Sequence, residues 1–243
     1  MADGAAVVVG VGPGLGMSIA HRFGREGYAV ELVSRTDTRH AGYLRELAEA
    51  GITARAHTAD VQDRDRTRAV LDDIAERHDG IGVVYYGPSG LDPSGFPAPI
   101  TEVDSAAVAA AMDQVVYPAI DVARLVLPGM VERGAGGLLF AGGLSALVPM
   151  PALGRLAVAG AALRNYALTL NAALSGQGVY AGTVIIGGLI ARSDIHAFAA
   201  ANPGQLGDAG ARLIDPDEIA DGAWDLYAKR DRAEVVFDVI TQG

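Results

Sequence analysis

The strongest constraint on the fold lies in the first 25 or so residues. Ala5–Val9 is a short apolar run, and Gly10-Val11-Gly12-Pro13-Gly14-Leu15-Gly16 follows at once. Leu15, Ile19, Ala20 and Phe23 then recur at helical spacing. A chain that passes from a buried strand into a helix through this many glycines must turn tightly, and glycine supplies the backbone freedom for that. The start of the helix presents free N–H groups, which attract an anion. A dinucleotide pyrophosphate fits this arrangement. An ordinary tight turn fits it too, because the chain holds 32 glycines in 243 residues. Two later features separate the readings. Ser34-Arg35-Thr36 closes the next apolar run, about 20 residues on, where dinucleotide folds meet the adenosine ribose. Asp60-Val61 closes the third, within reach of an adenine amino group. Both favour a nucleotide.

Strand-like and helix-like runs alternate along the rest of the chain. Apolar runs at 30–33, 53–58, 81–86, 138–140 and 180–186 are separated by helical patterns at 38–50, 64–78, 103–132 and 152–175. Pro118 predicts a kink in the longest of these. Such alternation predicts an α/β fold, a parallel sheet covered by helices on both faces. No composition break divides residues 1–243, so a single domain is expected, and 50% apolar content supplies its core. A net charge of −10 without a Lys/Arg run excludes the electrostatic footprint of a nucleic-acid binder. The chain has no cysteine, and His21, His40, His57 and His78 show no ligand spacing, so no metal is expected. Ala5–Val9 is too short for a signal peptide or a membrane span, which predicts a cytoplasmic protein without a membrane partner.

Taken in order, these features resemble the short-chain dehydrogenase/reductase family, from about residue 5 to about residue 240. The resemblance rests on Gly10-x-x-x-Gly14-x-Gly16, Asp60-Val61, Leu127-Pro128-x-Met130 and Ala161-Ala162-Leu163-Arg164. It also rests on Gly187-Gly188-Leu189-Ile190, where the family has Pro-Gly-x-Ile, and on Pro216-x-Glu218-Ile219-Ala220. It implies a Rossmann-like doubly wound sheet, a nicotinamide dinucleotide and a small-molecule substrate or ligand. By the same resemblance the cofactor would meet Gly10, Gly12, Pro13, Gly14, Leu15 and Gly16, then Ser34, Arg35 and Thr36, and Asp60 and Val61. Tyr86, Gly87 and Pro88 after the fourth strand and Gly188, Leu189 and Ile190 after the sixth complete the set. An acid at position 34 would favour NAD(H). Ser34 beside Arg35 instead offers a planar donor fork to a 2′-phosphate, so NADP(H) is expected. The helices at 103–132 and 152–175 are apolar on more than one face, and the resemblance implies that they form a homodimer or homotetramer.

The family's catalytic residues do not follow. In that family a tyrosine passes the proton, a lysine four residues later assists it, a serine orients the substrate, and an asparagine holds a relay water. Aligned on Pro149 and Ala161-Ala162-Leu163-Arg164, those positions hold Leu156, Gly160, Gly143 and, near the last, Val115. No other register restores them, because the only lysine is Lys229 and no tyrosine lies between Tyr117 and Tyr166. The family's Asn-Asn-Ala-Gly is Tyr86-Gly87-Pro88-Ser89. Acid–base help is worth about 10²–10⁴ in rate, so binding is expected to survive better than turnover. Ser145, two residues past the lost serine, and His196, beside Asp194 in the loop after the sixth strand, are candidate catalytic substitutes, although a plain loop residue is the simpler account of each. Tyr86 is expected to pack near the ribose, and Tyr166 in the core or an interface. Three functions stay open: an oxidoreductase with non-standard proton delivery, a silent nucleotide sensor or partner subunit, and a non-redox cyclase or isomerase.

Overall fold

The computed structural model describes residues 4–88, 97–203 and 212–241. Ser89, of the altered Asn-Asn-Ala-Gly segment, lies outside them. The strands are β1 (Ala5–Val9), β2 (Ala29–Ser34), β3 (Ala54–Thr58), β4 (Ile81–Tyr86), β5 (Gly136–Gly143) and β6 (Val179–Gly187). After them come the short β7 (Leu189–Ile190) and β8 (Leu213–Ile214), then β9 (Glu234–Asp238). Seven strands form one sheet in the order β3-β2-β1-β4-β5-β6-β9, all neighbours parallel, while β7 and β8 pair apart from it.

Side-chain alternation explains why these strands are apolar almost throughout. In β1 and β4, Val7, Val9, Val84 and Tyr86 face one core, while Ala6, Val8, Val83 and Tyr85 face the other. The first core is closed by α3 (Arg64–Arg77), α5 (Tyr117–Arg133) and α6 (Gly154–Ala173), with Val70, Val122 and Leu163 buried. The second is closed by α1 (Leu15–Arg25), α2 (His40–Glu49) and α8 (Pro216–Lys229), through Phe23, Leu47 and Leu226. The chain runs outward from β1 to β3 and then returns to place β4 on β1's other side. That reversal opens a crevice at the carboxyl ends of β1 and β4.

The doubly wound α/β architecture is the one the alternation predicts. The seventh sheet strand, β9, goes beyond that prediction, because Glu234-Val235-Val236-Phe237-Asp238 lies at the sheet edge, only partly buried. The irregularity expected at Pro118 falls in the turn before it. The run is helical through Pro118, and the irregularity is a π turn at Met112–Val116, which contains Gln114, the residue whose carbonyl a proline at 118 cannot use. This turn joins α4 (Ser105–Ala111) to α5. The whole run Ser105–Arg133 is long and apolar enough to cross a membrane by length and composition. Here Val115, Val122 and Met130 bury one side of it in the core, while Tyr117 and Val131 stay exposed.

Histidines that look scattered in sequence converge in space. Glu31 on β2 is 1% exposed and accepts hydrogen bonds from His57 Nε2 (2.6 Å) on β3 and His78 Nε2 (2.5 Å) at the end of α3. Burial alone would raise the Glu31 pKa. The hydrogen bonds and charges of the two imidazoles outweigh it and hold the group below its ordinary 4.5. A carboxylate depressed in this way contributes stability above its unfolded pKa and loses it as pH falls through the folded value. The acid limb of the unfolding curve should therefore begin below about pH 4.5 and include Glu31. Glu31→Leu strands two imidazole donors, so urea unfolding at pH 7 should show a loss of about 1–3 kcal/mol. The variant's acid limb should also be flatter, and a limb identical to the native one would eliminate Glu31 as a source.

Candidate functional site

The glycine turn divides into positions the protein needs for itself and one it leaves open. Gly10 has φ 82°, and the Gly10 and Val11 amides both donate to Val33 O, at 2.9 and 3.1 Å, tying the turn to the end of β2. A Cβ on Gly10 would stand 2.8 Å from Pro88 N, and one on Gly16 would stand 2.8 Å from Val11 Cα. Gly14 approaches Ala191 O and Ser193 Cα at 3.1 and 3.2 Å on the same measure. Of the turn's glycines, Gly12 alone has no atom of the described residues within 4 Å of a built Cβ. Gly14 is the N-cap of α1, and no side chain among the described residues caps this helix. An open backbone surface beside an uncapped helix start is what an anion requires.

The other nucleotide candidates gather along the same edge. Ser34 ends β2, its Oγ donates to Thr36 O (2.9 Å), and Arg35 and Thr36 are exposed beside it. Asp60 lies two residues past β3, where its Oδ1 accepts from Gln62 N (3.0 Å) and its carbonyl from Thr67 Oγ1 (3.2 Å). The loop is thereby fixed and Asp60 is exposed, while Val61 rests on the core. Gly87 N donates to Val9 O (2.9 Å), so the exits of β1 and β4 run side by side up to the Gly10–Pro88 contact. Gly188 has no room for a side chain, since a Cβ would meet Ile214 and Val239 at 2.7 Å. Leu189 and Ile190 then lead the chain to Ala191, over Gly14.

Tyr86 corrects the sequence reading. It is the last residue of β4 rather than the first of the loop, and alternation turns its ring into the core, 1% exposed and 6.3 Å from the Phe140 ring. Burial first, then the nearby Asp60 and Asp121 carboxylates, push its phenol pKa upward. Its ring therefore lies away from a ribose in the crevice, which only its main chain adjoins. Tyr166 packs edge-on against Phe140 at 5.8 Å, in the expected core setting.

The segment after β7 lies across the glycine turn. Arg192 (φ 64°) bonds through Nη2 to Ser18 Oγ (3.2 Å), Asp215 Oδ1 (3.2 Å) and Asp217 Oδ2 (2.9 Å). Ser193 Oγ accepts from His196 N (3.1 Å), capping α7 (Asp194–Ala201). Asp194 accepts both donors of the Arg39 guanidinium, each at 2.8 Å, which raises the Arg39 pKa. His196 Nδ1 accepts from Arg192 N at 3.1 Å. Asp194 and His196, adjacent in the sequence argument as acid and base, thus have separate partners.

Gly143, Gly160, Leu156 and Val115 lie on elements that pack against one another. Gly143 ends β5, and a Cβ there would lie 3.7 Å from Ser145 Oγ. A Cβ on Gly160 would lie 3.7 Å from the Ala146 Cβ. Leu156 is half-buried one helical turn before Gly160, and α6 packs on both the 144–146 turn and the π turn that carries Val115. None of these four positions can ionise. Ser145 places a hydroxyl beside Gly143.

A glycine turn at the switch point of a doubly wound sheet, beneath an uncapped helix start, defines a protein of the nucleotide-binding α/β class. The short chain dehydrogenase profile matches residues 4–200, and the chain belongs to that family. Sulfoacetaldehyde reductase 2 of Chromohalobacter salexigens is 27% identical over 176 residues, covering 71% of this chain and 68% of that protein. The very-long-chain 3-oxoacyl-CoA reductase of Aspergillus clavatus is 26% identical over 175 residues, 72% of this chain but only 50% of the relative's length. Among solved structures, a metagenomic short-chain oxidoreductase in complex with NADP superposes with a TM-score of 0.78 at 21% identity, over 98% of both chains. A single-residue variant of actinorhodin polyketide ketoreductase with NADPH gives 0.84 at 20% identity, over 98% of this chain and 95% of that one. At these identities the superpositions establish the fold.

Proposed function

We propose that the chain binds NADP(H) in the crevice at the ends of β1 and β4, as an oxidoreductase acting on a small organic substrate with non-standard proton delivery. The open backbone at Gly12 beside the uncapped start of α1 carries this reading. The reductase relatives and the NADP-bound structural neighbours support it. When bound, the nicotinamide supplies or accepts the hydride. The first-turn amides of α1 and the surface of Gly12 hold the pyrophosphate, Ser34, Arg35 and Thr36 meet the ribose 2′-phosphate, and Asp60 takes the adenine amino group. Ser145 orients the substrate oxygen beside Gly143, and the proton comes from water, the substrate or His196. Activated enones and iminium ions suit such a site better than simple ketones. The non-ionisable set of Gly143, Leu156 and Gly160 favours a second reading, a silent nucleotide-binding subunit.

Fluorescence titration tests the cofactor assignment. NADPH should bind at least about tenfold tighter than NADH, on the scale of a charge-assisted contact, and Arg35→Ala should remove most of the difference. Equal affinities for the unmodified protein would refute NADP(H) specificity. Substrate-dependent loss of NADPH absorbance separates the oxidoreductase from the silent subunit, and product formed at constant absorbance marks an isomerase or cyclase.

The exposed Tyr117 and Val131 on α5 and Val158 on α6 support assembly through these helices as a homodimer or homotetramer. Light scattering at micromolar concentration should report two or four chains, and a monomer there would rule the assembly out.

A further inference from the structure

Ser34 Oγ has one hydrogen and two partners. It donates to Thr36 O at 2.9 Å, closing the turn after β2, and lies 2.7 Å from His40 Nε2. With that hydrogen on Thr36, Ser34 must accept from the imidazole, so Nε2 carries a proton. His40 is the first residue of α2 and 8% exposed. We propose that His40 is a positioning residue for nucleotide choice: by donating to Ser34 Oγ it leaves the one Ser34 hydrogen free to turn from Thr36 O to a 2′-phosphate, and its protonation places a positive charge behind that hydroxyl. The inference rests on the NADP(H) reading and adds a pH-dependent determinant to it.

The surroundings of the ring fit such a role. Burial holds the His40 pKa below its ordinary value of 6.5, helped by His57 on β3 and opposed by Asp37 on the turn before α2. Arg39, next in sequence, is engaged by Asp194. The free imidazole therefore takes its second proton less readily than an ordinary histidine. A phosphate across Ser34 favours the charged ring, and by linkage acid must then strengthen NADPH binding relative to NADH. The 2′-phosphate itself loses charge near pH ~6, which acts in the opposite direction. That effect is common to every variant, so comparing variants isolates His40.

The test is NADPH and NADH titration between pH 8 and pH 5.5 with the full chain, His40→Gln and His40→Phe. Glutamine can donate to Ser34 but cannot take a charge, and phenylalanine can do neither. At pH 8, His40→Gln should keep the native NADPH preference, while His40→Phe should lose about two- to tenfold of it. At pH 5.5 the native preference should exceed that of His40→Gln by about threefold or more. Native ratios in His40→Phe, or His40→Gln following the native protein down to pH 5.5, would overturn the proposal. If His40→Phe does not fold by circular dichroism, the glutamine comparison decides alone. Binding with an unchanged preference in both variants overturns this inference only, whereas no binding of either nucleotide by the native chain overturns the nucleotide reading and this inference with it.

Discussion

Mixed with NADPH and a panel of simple ketones and aldehydes, the protein should bind the cofactor yet consume it far more slowly than about 1 s⁻¹, a modest rate for an enzyme. Ordinary carbonyl reduction needs a proton at the developing alkoxide, and positioned acid catalysis contributes about 10²–10⁴ to that step. The turn and helix that would supply it are in place, but they present Gly143, Leu156 and Gly160. The triple variant Gly143→Ser, Leu156→Tyr, Gly160→Lys tests how much else has changed. Space exists for the first side-chain atoms at both glycines, since their nearest neighbours beyond the adjoining backbone lie 3.7 Å away. Even so, we expect at most weak activity. The carbonyl carbon must also sit near the nicotinamide with its oxygen against the new hydroxyls, and a misplacement of about 1 Å can cost 10²-fold. Turnover near 1 s⁻¹ by the unmodified chain would show that another group delivers the proton, and Ser145→Ala and His196→Ala would identify it.

Valine at Gly12 and valine at Gly16 should have opposite consequences. Gly12 faces open space and its φ lies outside the left-handed region, so Gly12→Val should unfold within about 0.5 kcal/mol of native. Its branched side chain would occupy the surface proposed for the pyrophosphate, and NADPH affinity should fall at least tenfold. Gly16 packs on the backbone of β1's exit, 2.8 Å from Val11 Cα measured from a built Cβ. Gly16→Val should therefore cost about 1–3 kcal/mol or more of stability, because backbone cannot move aside as a flexible side chain can. Thermal unfolding and nucleotide titration on both variants give the comparison. Native-like nucleotide affinity in a folded Gly12→Val protein would mean that the pyrophosphate does not lie over Gly12.

Periodicity makes most of the fold legible, and its failures are local. Strands buried on both faces write themselves as apolar runs, so β1, β2 and β4 stand out, whereas β9 at the sheet edge is partly exposed and does not. Tyr86 escapes a sequence reading because β4 is apolar on both faces, so alternation alone does not say whether its last ring enters the core or the crevice. Pro118 marks where the long helix departs from α geometry, but the form of the departure, a π turn at Met112–Val116, depends on which carbonyl each amide finds.

The sequence by itself determined the alternation of strand and helix, the glycine turn, and the presence of a single lysine with no tyrosine between Tyr117 and Tyr166, since each depends only on residue identity and spacing. Tertiary structure decided which glycine is open to a ligand. It also brought His57 and His78 onto Glu31, and Arg39 onto Asp194, across 155 residues of chain. Hydrogen bonds between segments distant in sequence leave no periodic trace, because a polar side chain's partner is set by how strands and helices pack rather than by its neighbours along the chain. The His40–Ser34 contact spans only six residues, yet it too is set by the turn between β2 and α2, which brings the two to 2.7 Å.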